Sequence, residues 1–371
     1  MKKTKLIPFY FPQFHSIPEN DNWWGKGYTD WERVKNANPL FDAHHQPRIP
    51  VNSNYYNLAS EEVIAWQVET AQQYGLSGFC FYHYWFDGKL LLEKPMEIFY
   101  KLKHDFPYCV TWANETWTKR WIGSNEILIQ QTHKPDTELW KRHFDYLLKF
   151  FEDKRSIRID GKPVFLIYRP DIIQNLDAFI DYFRTLAAKN GLGDLYMIGI
   201  KSYNTLGDVY NKFDAILKFQ PRQLFNEVFF KKSAVGKKIE AMLRSLPERI
   251  QLPIGELKYR LEKYKVFEYD AFWEETIQQA VADKQSLQPV YHSGLVDWDN
   301  TARYGKKAKL FRGSSPENFK QYLEKLIQVE DDKANPMIFI NAWNEWSEGA
   351  YLEPDTKHGY SYLEGIRQLS V

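Results

Sequence analysis

The sequence predicts an α/β fold, a (β/α)₈ barrel with long loops after its strands. Three observations point there. Short apolar runs recur about eight times, stretches with helical periodicity alternate with them, and aromatic and polar residues crowd the positions just after the runs. A chain of 371 residues accommodates one such barrel with insertions.

The first run is Leu6 to Tyr10. Glu61 to Tyr74 follows at helical spacing, with Ser60 placed to cap its first turn and Gly75 just past its end. Gly78 to Tyr84 reads as a strand, Pro95 to Lys103 as a helix, Tyr108 to Ala113 as a strand and Thr137 to Phe151 as a helix. Val164 to Tyr168 (strand), Ile172 to Lys189 (helix), and Leu195 to Ile200 and Ala215 to Phe219 (strands) continue the series. Pro221 to Lys265 breaks the rhythm, being long and basic and holding Pro253 and Gly255. It reads as a partly helical insertion after strand six, at about residues 221–265, within a single catalytic domain spanning 1–371. Asp270 to Ala282 (helix), Gln288 to His292 (strand), Pro316 to Val329 (a helix begun by Ser315 and Pro316) and Met337 to Asn341 (strand) complete the set.

Charge and composition narrow the function. With 49 basic and 48 acidic residues the net charge is +1, so no global field draws nucleic acid or an anionic membrane. No stretch approaches the roughly 18 apolar residues of a membrane span. The basic start is interrupted by Pro8 and Pro12 before an apolar signal segment can form, which predicts a cytoplasmic protein. Cys80 and Cys109 lie in apolar runs on neighbouring strands and read as buried reduced thiols. Aromatic residues make up 17% of the chain, many beside polar residues in loops. Pyranose rings offer C–H faces that pack on aromatic rings and hydroxyls that need polar partners, so this pattern suits an oligosaccharide or polysaccharide.

In a barrel the site gathers at the carboxyl ends of the strands. After strand one come Tyr10, His15 and Trp24. Strand two ends in Tyr82, His83, Tyr84 and Trp85, strand three in Trp112, Asn114, Glu115 and Trp117, and strand four in Tyr168 and Arg169. Strand seven runs into His292, then Asp297-Trp298-Asp299. Strand eight runs into Asn341, Trp343, Asn344, Glu345, Trp346, Ser347 and Glu348, with Glu353 beyond. Glu345 and Glu348 are three apart, so in a turn or helix both carboxyls reach one ligand. Glycosidic cleavage needs such a pair, one to donate a proton and one to accept it, and closeness pushes their titrations apart. These two are therefore the predicted catalytic residues, and the others named in this paragraph, His292, Asp297, Trp298, Trp346 and Ser347 aside, are predicted to bind substrate. Asn114-Glu115 is a second acid-bearing pair, read as substrate-binding. Asp297-x-Asp299 has the form with which sugar-nucleotide transferases hold a divalent metal, but reads more readily as a sugar-binding loop. No zinc-ligand spacing, nucleotide-binding glycine loop or serine-hydrolase elbow occurs, so neither metal nor cofactor is predicted.

These motifs resemble WbsX-type proteins of bacterial polysaccharide gene clusters, and through them the domain of glycoside hydrolase family 99, the endo-α-mannosidases. The resemblance runs from Phe9-Tyr-Phe-Pro-Gln-Phe-His15 and Trp23-Trp-Gly25 through Gly78-Phe-Cys-Phe-Tyr-His-Tyr-Trp85, Trp112-Ala-Asn-Glu115 and Trp298-Asp-Asn-Thr-Ala-Arg303 to Asn341-Ala-Trp-Asn-Glu-Trp-Ser-Glu-Gly349. It implies a retaining reaction in which the sugar's own 2-hydroxyl attacks the anomeric carbon. Glu345 would take that hydroxyl's proton. Glu348 would protonate the leaving oxygen, then deprotonate the water that opens the 1,2-anhydro intermediate. The mannosidases carry His where this chain has Ser347, a departure that bears on mannose specificity. Three function classes follow: a glycoside hydrolase or transglycosylase, favoured by the glutamate pair; a glycosyltransferase of polysaccharide biosynthesis; and a non-catalytic glycan-binding protein, whose hallmark would be loss of one glutamate.

Overall fold

The structure, a computed structural model, describes residues 3–119, 126–203, 205, 208–229 and 263–369. Eight parallel strands close into a barrel: β1 (Lys5–Tyr10), β2 (Phe79–Phe86), β3 (Tyr108–Trp112), β4 (Lys162–Ile167), β5 (Tyr196–Lys201), β6 (Ala215–Lys218), β7 (Val290–Leu295) and β8 (Met337–Asn341). Each pairs with the next, and β1 also pairs with β8, from Lys5 opposite Met337 to Pro8 opposite Ile340, which leaves no open edge. Helices α1 (Glu61–Gln73), α2 (Lys94–Leu102), α3 (Thr137–Glu152), α4 (Leu176–Lys189), α5 (Tyr269–Asp283), α6 (Pro316–Glu330) and α7 (Ser361–Leu369) accompany them. Among the described residues no helix is long and apolar enough to cross a membrane.

Strand periodicity sorts the side chains into two layers. The ring of Phe9 lies 5.3, 5.1 and 5.7 Å from those of Tyr82, Phe219 and Phe339. These four belong to β1, β2, the end of β6 and β8, so the barrel interior is where they meet. Tyr10 points the other way, against Phe79 and Phe81, and its hydroxyl donates to Gln67 Oε1 of α1 at 2.5 Å. Cys80 and Cys109 face each other across β2 and β3, both buried as free thiols. The helix starts follow local chemistry. Ser60 and Ser315 accept hydrogen bonds from Val63 N and Asn318 N at the first turns of α1 and α6.

Two sequence expectations shift. Strand β7 runs to Leu295, three residues past the predicted end. His292 therefore lies mid-strand and faces the helix layer, its Nε2 2.9 Å from Asp283 and its Nδ1 2.9 Å from Glu330. Of the segment 221–265, residues 221–229 form a helical turn and a π-turn, Arg222–Leu224 then Phe225–Phe229. Residues 230–262 of the expected insertion lie outside the described residues, and its last residue, Lys265, begins a short strand, Lys265–Glu268, paired with Lys309–Arg312.

Candidate active site

Beyond β8 the chain folds back on itself. Asn344–Glu345 pairs antiparallel with Ala350–Tyr351, and a 3₁₀ turn, Trp346–Glu348, closes the hairpin. Glu345 and Glu348 stand on either side of that turn, 6% and 5% exposed. A short helix after β7, Thr301–Tyr304, brings Arg303 between them. Its Nη1 donates to Glu348 Oε1 at 2.6 Å, its Nη2 to Glu345 Oε2 at 3.0 Å and its Nε to Ser347 Oγ at 2.6 Å, while Asp30 Oδ2 lies 3.6 Å away. Arg222 approaches Glu348 to 3.5 Å. One guanidinium thus serves both glutamates. Burial pushes Glu345 up to about 8, against the pull of Arg303 and with the help of Glu348 and Asp30.

The pair opens on a groove over the carboxyl ends of the strands. One half, a cavity of about 290 Å³, is lined by Glu345 and Arg303 together with Phe11, Trp24, Asp30, Tyr82, Tyr84, Glu115, Trp117 and Tyr168. An adjoining cavity of about 320 Å³ holds Glu348 beside Trp298 and Asn300. Tyr203, Arg222 and Tyr304 line both. The two carboxyl groups therefore face neighbouring halves of one aromatic groove.

Of the residues predicted from sequence, Trp24, Tyr82, Tyr84, Glu115, Trp117, Tyr168 and Glu345 line the first cavity and Glu348 the second. Others brace the groove from behind. Asn114 Oδ1 accepts from Arg169 N at 2.8 Å and its Nδ2 donates to Arg169 O at 2.9 Å, which presents the Arg169 guanidinium to Glu115 at 3.0 Å and to the ring of Tyr203 at 4.0 Å. Asn344 holds both backbone groups of Phe11 at 2.7 and 2.9 Å, and Asn341 donates to Gln220 O at 3.0 Å. Trp343 is buried against Phe79, outside the groove. Glu353 sits behind Trp346, accepting from Tyr56, Gln67 and the Trp346 indole, each at 2.6 Å. Burial pushes its carboxyl up to about 7 although those three donors oppose the shift.

Several predicted residues lie elsewhere, and strand alternation or local pairing explains why. Tyr10 faces α1, as described above. His83 and Trp85 alternate with Tyr82 and Tyr84 and point outward at α3. There His83 Nε2 meets His143 Nε2 at 2.9 Å and Trp85 stacks on His143 at 4.9 Å. Trp112 also faces outward, packed on Phe179 with its indole N–H on Trp85 O. His15 is buried with Nδ1 on Pro12 O at 2.9 Å. Asp299 is taken up by His44, Gln46 and Thr301, and Asp297 by Arg48 at 2.7 Å, so neither carboxylate is open to a ligand. Among the described residues no cluster of three or more His, Cys, Asp or Glu is arranged to hold a metal.

Sequence reasoning missed Arg303, Asp30, Phe11, Arg222 and Tyr203 as site residues. Arg303 closes the Trp298 to Arg303 motif, and Phe11 and Asp30 lie in the aromatic loop after β1, so for these a signal existed. Arg222 and Tyr203 carry none; the ends of β5 and β6 bring them in.

Comparison with known proteins adds the following. The chain matches the family described as "Glycosyltransferase WbsX" over residues 6–366. Two Xanthomonas campestris pv. campestris proteins named WxcX are 34% and 33% identical to it, each over 98% of this chain and 49% of the relative. The chain thus spans about half the length of the curated relatives it matches. Among solved structures, a glycoside hydrolase-like protein aligns at TM-score 0.58 and 12% identity, covering 100% of this chain and 94% of the other. An endo-alpha-mannosidase of glycoside hydrolase family 99 from Bacteroides thetaiotaomicron aligns at 0.55 and 12%, covering 98% and 96%. At such identity the likeness is one of fold.

Proposed function

This chain belongs to the WbsX family, and we propose that it is a carbohydrate-active enzyme that breaks a glycosidic bond with retention and passes the sugar to water or to an acceptor hydroxyl. The observation that carries the proposal is the pair of buried glutamates sharing one guanidinium in an aromatic groove. Glu345 takes the proton of the substrate's 2-hydroxyl as O2 forms its bond to C1. Glu348 gives its proton to the departing oxygen as the C1–O bond breaks. In the second step the incoming water or sugar hydroxyl loses its proton to Glu348 and bonds to C1 as the C1–O2 bond breaks, and O2 recovers its proton from Glu345. An acceptor sugar in place of water turns hydrolysis into transfer, so this scheme also accommodates the family's transferase description. A nucleotide-sugar route through Asp297 and Asp299 has less support, because Arg48, His44 and Gln46 already occupy those carboxylates.

The scheme requires one proton on the pair. Burial favours Glu345 as its holder, yet the fraction of singly protonated enzyme is the same whichever carboxyl bears it. The dependence of kcat/KM on pH is therefore bell-shaped and falls above about 8.

A screen on defined α- and β-linked oligosaccharides, with the first-released anomer followed by NMR, tests the activity. Two variants test the roles. Glu348→Gln should lose roughly 10²–10⁴-fold in turnover on ordinary glycosides. It should still bind them, and still cleave aryl glycosides whose phenolate leaves without a proton. Glu345→Gln should fail on both substrate types. The reverse pattern would exchange the roles, and full activity in both variants would end the proposal.

A further inference from the structure

A second aromatic-lined cavity, of about 490 Å³, lies behind the catalytic hairpin, between the 50–56 segment, α1 and the chain beyond Trp346. Rings of Tyr55, Trp66, Trp346 and Tyr360 line it, and the exposed amides of Asn52 and Asn54 stand at its rim. Among the described lining residues the one charged group is Glu353, already engaged by three donors. Such a cavity offers ring faces and amide hydrogen bonds with no open charge in its lining, the Lys35 ammonium being packed over the Tyr55 ring at 4.5 Å. That suits a neutral polyol and disfavours a phosphate or carboxylate.

The rim is formed by an unusual turn. Asn52 and Ser53 are consecutive non-glycine residues in the left-handed region, at φ 57° and 53°. Neighbouring backbone holds them there: Val51 N donates to Pro354 O at 3.0 Å, Ser53 N to Pro50 O at 2.9 Å and Tyr55 N to Ser53 O at 2.8 Å. The turn projects Asn52 and Asn54 beside the cavity, where neither amide has a side-chain partner among the described residues. Trp346, 2% exposed and stacked on Tyr351 at 3.8 Å, forms part of this cavity's wall. It sits between Glu345 and Glu348 in the chain, and its indole N–H is tied to Glu353.

We propose that this cavity is a second saccharide site, taking a unit or two of a neutral glycan behind the Trp346 turn. The ligand class rests on the saccharide reading of the groove; the location rests on the cavity itself.

The test is ¹⁹F NMR of the whole Glu348→Gln protein labelled with 5-fluorotryptophan. It is titrated with methyl glycosides of neutral hexoses, 6-deoxyhexoses and N-acetylhexosamines, and with a uronic acid glycoside and a sugar phosphate. Trp→Phe variants assign the signals, and Trp66→Phe keeps a ring in place so that the fold survives. Trp66 and Trp346 should shift saturably with at least one neutral glycoside. Asn52→Gly, which tolerates the left-handed backbone, combined with Asn54→Ala should weaken that binding roughly tenfold. If shifts are confined to Trp24 and Trp117, the groove binds sugar and the second site is overturned while the functional reading stands. Silence at Trp66 with every neutral glycoside, or a response only to the anionic sugars, also overturns it. Failure of the functional reading shows separately, as absence of product in the oligosaccharide screen.

Discussion

Arg303 is the cation on which the pair depends. It contacts Glu345, Glu348 and Ser347, with Asp30 nearby, and its charge opposes the burial that raises the Glu345 carboxyl. Arg303→Gln should lower kcat/KM by about 100-fold or more, because fixed charge facing the reacting centre is lost. It should also move the upper limb of the pH profile above its wild-type position near 8, because Glu345 then holds its proton longer. Arg303→Lys should recover only part of the rate, since one ammonium cannot span two carboxyls and a hydroxyl as a planar fork does. An unmoved limb in the Gln variant would show that Arg303 does not govern the pair. At this scale the sequence was half legible. Spacing and setting singled out Glu345 and Glu348, and the clusters after β2 and β3 held true groove residues. What could not be read was parity: Tyr82 and Tyr84 face in, His83 and Trp85 face out, and only the barrel's curvature says which is which.

At the scale of elements, the hairpin that carries Glu345 and Glu348 is seated by a glycine. Gly349 has φ 67°, and a Cβ there would lie 2.8 Å from Asp299 N and 3.0 Å from Asp299 O, backbone atoms that cannot rotate away. That approach lets Asp299 N donate to Glu348 O at 2.8 Å, which ties the turn to the loop after β7. Gly349→Ala should cost on the order of 1–3 kcal/mol in denaturant unfolding. It should also lower kcat more than it raises KM, since the turn carrying Glu348 must shift. A variant with wild-type stability would mean the hairpin yields easily. All eight strands were legible because each is a short apolar run bounded by turn residues. The end of β7 was not: the run reads as stopping at His292, because that residue and Ser293 are polar enough to mark the end of a strand. They are buried in the strand because their polar atoms are satisfied, His292 by Asp283 and Glu330, and Ser293 Oγ by Gln220 N at 2.6 Å. Between β5 and β6 no helix forms over residues 208–213. A turn there drops Tyr210 and Phe213 onto Gly199, filling the helix layer with two rings. Helix α7 went unpredicted altogether.

For the whole molecule, burying two carboxyls makes stability depend on pH in a way that can be signed. Glu345 and Glu353 are raised from an ordinary value of 4.5 to about 8 and about 7. Between those limits the native state keeps protons that the unfolded chain has released, so raising pH favours unfolding until the folded values are passed. Buried and half-buried histidines act in the opposite sense. His15 and His45 are lowered to about 4 and His83 to about 3, chiefly by burial, from an ordinary 6.5. There the unfolded chain binds more protons, so stability rises with pH until about 6.5 and gains nothing beyond. The opposing contributions meet near pH 6.5. From there to about pH 8 the glutamates act, and the melting temperature should decline over that window. Glu345→Gln should flatten much of that decline, because an amide occupies the same space with no proton to release. If the variant's melting temperature falls as steeply as the wild type's over this window, the proton on Glu345 is not linked to folding. The groove would then owe its pH dependence to some other group.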